Sequence, residues 1–324
     1  MKKFFLSASV MTALLFTGSC QKESLSSADR ECNVTFEVNV PSVVQTKAMS
    51  NAENADVVYY EIWNSDWTTK LYPKQGLAEA VVEDAVVDGK TVKQAKIQHN
   101  LVKGQTYSFI FWAQNKAFDG YDVTALKTVK VNYSKFKGNQ DSYDAYYAKD
   151  SFLVSESMSR TIYLRRPFAQ LNFGASVMAT DLGNIVLGAS EVTVATLATT
   201  FDTINGVGTD MTTAPVTFSA SATDGNVKID EPLKVTANGV ETTYEWIAMD
   251  YMLMSGDEQT VQVDASFVIN GLDSPVKHTI PNVPLKKNYR TNIVGDLFTA
   301  DADLTIIIEP DFNPGDEIID VDKL

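Results

Sequence analysis

From Asn33 to Val40 the chain alternates without exception: Val34, Phe36, Val38 and Val40 point one way, and Asn33, Thr35, Glu37 and Asn39 the other. Period two built from β-branched and aromatic residues marks a half-buried strand. Pro41 ends it, because proline has no N–H to continue a ladder. The same signature recurs along the chain, at 57–63, 81–87, 93–101, 106–113, 161–165, 169–173, 191–197, 243–249, 261–269 and 288–295. Turn pairs separate the runs: Asp88-Gly89, Lys103-Gly104, Asp119-Gly120, Asp224-Gly225, Asn238-Gly239 and Asn270-Gly271. No long segment has a 3.6-residue period; residues 141–149 are expected to form a short helix. Many short strands with turn signals predict an all-β fold of packed sandwiches. A break near Arg165-Arg166-Pro167 divides the strands into two domains of similar size, 48–165 and 166–324.

With 324 residues, 44% of them hydrophobic, the chain has ample material for two cores. A net charge of −14 repels phosphate backbones and speaks against nucleic acid as a partner. Two Cys and two His supply neither a disulfide framework nor a thiolate metal site. The sequence lacks His-Glu-x-x-His, Gly-x-Ser-x-Gly, a P-loop and a dinucleotide glycine pattern, so no enzyme, cofactor or metal is expected. Residues 311–317 group oxygen ligands without matching a calcium loop. His99 and His278 lie in strand contexts and read as structural, as do Trp63, Trp112 and Trp246. Trp67 follows Asn64-Ser65-Asp66 in a turn and is the best exposed surface for stacking on a sugar.

The N-terminus reads as an address. Lys2 and Lys3 precede an apolar run at 4–16, too short to span a bilayer as a helix, and Thr17-Gly18-Ser19-Cys20 follows. This resembles a bacterial lipoprotein signal, in which cleavage leaves Cys20 as the acylated N-terminus and its lipid anchors the precursor in the outer membrane. Residues 21–30 are polar and read as a tether. Lys22-Glu23 resembles the surface-export signal of some diderm lipoproteins.

Lys47 stands in a polar connection between the strand at 33–40 and the next at 57–63, where trypsin-like proteases cut. Burying Val34, Phe36, Val38 and Val40 contributes roughly 6–12 kcal/mol, at about 1.5–3 each. The whole net stability of a domain is only about 5–15 kcal/mol. A cut that released this strand would leave an apolar groove and an unpaired sheet edge. A strand from another copy is the natural replacement. At the far end, Leu304, Ile306 and Ile308 share one face of a strand, and an acidic tail with Phe312, Ile318, Ile319 and Val321 follows Pro310. This end reads either as the last strand of its own domain or as a segment that packs elsewhere.

Three stretches together resemble the fimbrillin superfamily, the type V pilins of gut and oral diderm bacteria: Tyr163-Leu164-Arg165-Arg166-Pro167-Phe168-Ala169-Gln170-Leu171-Asn172-Phe173, Asn288-Tyr289-Arg290-Thr291-Asn292-Ile293-Val294-Gly295, and Thr46-Lys47-Ala48 before the strand at 57–63. The resemblance implies two tandem transthyretin-like β-sandwich domains after a lipoprotein signal peptide (1–20) and a propeptide (21–47) carrying a removable plug strand. It implies cleavage between Lys47 and Ala48 by a trypsin-like maturation protease, although the family site is commonly Arg-Ala. It further implies growth of a cell-surface fimbrium with other copies or related subunits, the donor strand being Leu304, Ile306, Ile308 and Phe312. Adhesion to a host glycan or protein receptor would follow. An uncut, lipid-anchored anchor or tip subunit is the alternative within the family. A glycan-binding surface lipoprotein is the alternative outside it.

Overall fold

The computed structural model describes residues 30–41, 54–87, 89–176, 187–222, 232–237, 239–299 and 304–309. Sheet I runs in the order β11 (Met158–Tyr163), β1 (Glu31–Val40), β6 (Lys90–Val102) and β5 (Glu83–Val87). Sheet II holds β10 (Tyr146–Val154), β7 (Gln105–Gln114), β2 (Val57–Asn64) and β3 (Lys70–Tyr72), with β4 (Ala78–Val81) also on β2. Their facing sides enclose one core, in which Val34, Phe36 and Val38 meet Val58, Ile62, Phe109 and Phe111.

Sheet III is β17 (Pro232–Ala237), β18 (Val240–Leu253), β12 (Phe168–Ser176), β21 (Arg290–Gly295) and β22 (Leu304–Glu309). Sheet IV is β16 (Val216–Ser221), β13 (Leu187–Val194), β19 (Glu258–Ile269) and β20 (Val276–Lys286). Together they form the second sandwich, so the fold is all-β, as its alternation predicts. Gly174 lies where the β12–β18 register shifts, and a Cβ there would fall 2.8 Å from Leu233 and 2.9 Å from Tyr244. Only glycine lets the strands approach so closely at this bulge.

Sheet V joins the two halves. It pairs β8 (Tyr121–Asp122) and β9 (Thr128–Val131) with β14 (Ala198–Asp202) and β15 (Val207–Met211), strands from either side of the Arg165-Arg166-Pro167 break. Phe201 pairs with Val129 across that boundary. Asn139, at φ +61°, adds to the join: its N–H and side chain bond to Met249 and Ile247 on the edge of β18. Sheet II is consequently covered on both faces. Val58, Tyr60 and Ile62 face the first core, while Val57 and Tyr59 face the second. This double burial is why residues 57–63 and 106–113 read as apolar runs, whereas β1, buried on one face, alternates.

Several boundaries differ from the sequence reading. The run at 81–87 is two strands: Val82 donates its N–H to Asp56, and there the chain passes from sheet II to sheet I. Residues 141–149 hold one 3₁₀ turn, Asp141–Tyr143, before β10 begins at Tyr146, because Tyr146 and Tyr147 pair with β7 instead of continuing a helix. Strand β21 starts at Arg290, since Asn288 adopts φ +63° in the preceding turn. Strand β11 stops at Tyr163, and Arg165 forms only an isolated bridge to Tyr147.

Candidate functional site: a strand threaded between two neighbours

Strand β1 is an interior strand contributed from the N-terminal end of the chain. It runs antiparallel to β6 from Glu31↔Val102 to Val40↔Lys93, and parallel to β11 from Val34↔Met158 to Asn39↔Tyr163. Cys32, Val34, Phe36, Val38 and Val40 are all buried. Phe36 sits at the centre of an aromatic cluster, with ring centroids 4.7 Å from Phe109, 5.4 Å from Phe111 and 6.1 Å from Phe152. Such tilted pairs add to the burial of area. The opposite face is stitched by side chains. Asn33 Nδ2 donates to Asn100 Oδ1 (3.1 Å), Gln94 Nε2 to Asn39 Oδ1 (2.9 Å) and Gln98 Nε2 to Thr35 Oγ1 (3.4 Å). The Leu164 N–H donates to the Asn39 carbonyl and the Lys103 N–H to the Arg30 carbonyl, which ties down both ends.

The last described strand is held differently. β22 pairs only with β21, from Gly295↔Leu304 to Arg290↔Glu309. Leu304, Ile306 and Ile307 pack half-buried on the second core, whereas Ile308 is 42% exposed. Glu309 closes the end of the strand: Oε2 accepts from Asn292 Nδ2 (2.9 Å) and Oε1 from the Thr236 N–H (3.0 Å) on β17, the opposite edge of the same sheet. Cys20, Lys47, Ala48 and Phe312 lie outside the described residues.

The remaining sequence candidates pack into or against the two cores. Trp112 and Trp246 are buried, and Trp63 is half-buried with Nε1 on Glu61 Oε2 (3.0 Å). Trp67 is also half-buried, packed at the margin of the second core at φ +62°. An Asx turn at Asp66 fixes it, and Lys127 Nζ donates to its carbonyl (2.9 Å) while lying 4.7 Å from the Trp63 ring. His99 Nε2 bonds the Tyr60 hydroxyl (3.1 Å), with burial lowering the pKa of the imidazole, and His278 Nε2 bonds the Leu297 carbonyl (2.9 Å). Among the described residues no three His, Cys, Asp or Glu side chains group to hold a metal, and no helix is long and apolar enough to cross a membrane.

Sequence reasoning missed a set of buried polar groups between the sandwiches. Arg166 Nε donates to Asp144 Oδ2 (2.6 Å) and Nη2 to the Tyr146 hydroxyl (2.8 Å), all three wholly buried. Burial raises Asp144 to a pKa of about 6, against the opposing pull of the Arg166 cation. Gln170, Asn172 and Asn292 are wholly buried as well. The signal was present in the Arg-Arg-Pro-Phe-Ala-Gln-Leu-Asn-Phe run, where the amides alternate as a solvent face does.

The geometry defines a class: tandem β-sandwiches whose first core is completed by a strand from ahead of the first domain. A family model described as a family of unknown function, DUF6562, matches residues 26–321, and the chain belongs to that family. No curated protein matches it. Among solved structures, a chain from Bacteroides ovatus whose name proposes a role in cell adhesion is similar at TM-score 0.50 and 12% identity, over 87% of this chain and 98% of that one. A fimbrial assembly protein from Parabacteroides distasonis (TM-score 0.44, 11% identity, 86% and 95% covered) is also similar. So is the fimbrial anchor protein Mfa2 from Porphyromonas gingivalis (TM-score 0.39, 12% identity, 86% and 97% covered). At such identities the likeness concerns the fold.

Proposed function

We propose that this chain is a structural subunit of a surface fimbrium: a lipoprotein precursor whose plug strand β1 is removed by a trypsin-like protease after Lys47, opening a groove that a strand from another subunit fills. The observation that carries the reading is the position of β1. It lies between β6 and β11, with every inward side chain buried, yet it is joined to the rest of the chain only through the segment that holds Lys47. A strand in that position is both indispensable to its core and removable by one cut. The names of the similar structures, which concern cell adhesion and fimbrial assembly and anchoring, agree with this reading. The donor is β22 with its tail, because Leu304, Ile306 and Ile308 repeat the two-residue spacing of Val34, Phe36 and Val38 and β22 is an edge strand.

The test is the N-terminal residue of the protein on the cell surface, read by mass spectrometry. A chain starting at Ala48 supports the proposal. A chain starting at acylated Cys20 makes it an uncut anchor, tip subunit or stand-alone lipoprotein, and polymerisation by plug release is then wrong. For the mature chain, deleting residues 304–324 should abolish polymers. Polymers that persist would exclude β22 as donor.

A further inference from the structure

One unbroken line of side-chain hydrogen bonds crosses the molecule. Asn54 Nδ2 donates to Asp141 Oδ2 (3.4 Å), and the Tyr251 hydroxyl donates to Asp141 Oδ1 (2.7 Å). Gln170 Nε2 donates to the Tyr251 oxygen (3.1 Å), and Asn172 Nδ2 to Gln170 Oε1 (3.2 Å). The same Asn172 amide donates to Asn292 Oδ1 (2.7 Å), and Asn292 Nδ2 to Glu309 Oε2 (2.9 Å). The line begins where the chain enters β2 and ends on β22. Its four middle members, Tyr251, Gln170, Asn172 and Asn292, are wholly buried.

The direction of the bonds matters more than their number. Donors point outward from Asn172 in both directions, and each arm ends on a carboxylate, Asp141 at one end and Glu309 at the other. A carboxylate accepts only, so each end fixes the orientation of the hydroxyl or amide beside it, and that group fixes the next. In a dry interior such chains polarise one another, and along this one Asn172 Oδ1 is buried without a hydrogen-bond partner. Turning Gln170 or Asn292 over would set donor against donor at Asn172, and turning Asn172 over would set acceptor against acceptor.

We infer that this string makes the seating of β22 depend on the junction ahead of β2: Asp141 and Glu309 are coupled positioning residues, and loosening the first loosens the latch that the second forms across β21 and β17. β22 suits such control, because its backbone pairs with β21 alone, its side chains are half-buried and Ile308 is exposed. Its use for timing strand release rests on the reading of β22 as a donated strand. The coupling itself is a property of the monomer, and it can fail or hold whether or not the protein polymerises.

The experiment is hydrogen–deuterium exchange on the full chain, read by mass spectrometry over residues 304–309, with residues 105–114 as the internal reference. Asp141→Ala should speed exchange at 304–309 by threefold or more and leave 105–114 unchanged. Glu309→Gln should do the same, and the double variant should fall short of the product of the two factors, since either break opens the one string. Unchanged exchange at 304–309 in Asp141→Ala, or two factors that simply multiply, overturns the inference. Should Asp141→Ala not fold, Asn54→Ala, on an exposed side chain, should still speed exchange at 304–309 by about twofold. No change there overturns the inference equally.

Discussion

The two sandwiches solve the same packing problem in opposite ways. The first has an apolar core completed by an interior strand, β1, that enters from ahead of the domain. The last described strand of the second, β22, lies at an edge, and its core also takes Val57, Tyr59 and Trp112 from sheet II and Val129 from β9. The second holds more buried polar atoms without a hydrogen-bond partner, Trp246 Nε1 and both carboxyl oxygens of Asp250, against Asp144 Oδ1 beside Tyr146 of the first core. The first core depends on tight apolar complementarity around β1, where Phe36 packs on Phe109, Phe111 and Phe152.

Three substitutions put this contrast under load. Phe36→Ala should have the largest effect, a loss of about 3–5 kcal/mol, since it empties the centre of a cluster of three other aromatic rings. Urea unfolding of the precursor measures it, and a loss below about 1 kcal/mol would mean that β1 is not integral to the first core. Asp250→Leu should act in the opposite sense, stabilising the second sandwich by about 1–3 kcal/mol at neutral pH by removing an unpartnered polar group. Burial holds the Asp250 carboxyl well above its ordinary 3.8, so the folded state keeps a proton that the unfolded state releases. The associated stability is fully present below pH 3.8 and is lost as pH rises from there through the folded value. The advantage of the leucine variant should therefore shrink on acidification toward pH 4, and a pH-independent difference would show that Asp250 is solvated. Ile306→Ala should be the mildest, about 1 kcal/mol, because a half-buried edge side chain leaves little cavity. A loss as large as that of Phe36→Ala would erase the distinction between the two strands.

How much of this was legible follows the burial pattern. β1 was readable because one face is buried and the other is not, so its alternation survives in the sequence; β22 was readable as a short β-branched run before Pro310, although the neighbours Ile306 and Ile307 are both half-buried. The sheet that joins the halves was not, since β8, β9, β14 and β15 are two to five residues long and carry Asp122, Lys130 and Asp202 among few apolar positions. β20 was hidden by Pro281 and Pro284, residues that suit its place at the edge of sheet IV. Gln170 and Asn172 misled in another way. Both faces of β12 are covered, so its polar positions look like a solvent face while lying in the interior.

Sheet V has a mechanical consequence. Tandem domains joined by a linker swing relative to one another by default, and a pulled chain straightens the linker first. Here the halves share a ladder, Thr200↔Lys130 to Asp202↔Thr128, reinforced by Asn139 on β18. Tension applied between the first sandwich and the last strand finds no slack hinge to extend. It loads backbone hydrogen bonds at once, so the molecule behaves as a stiff link.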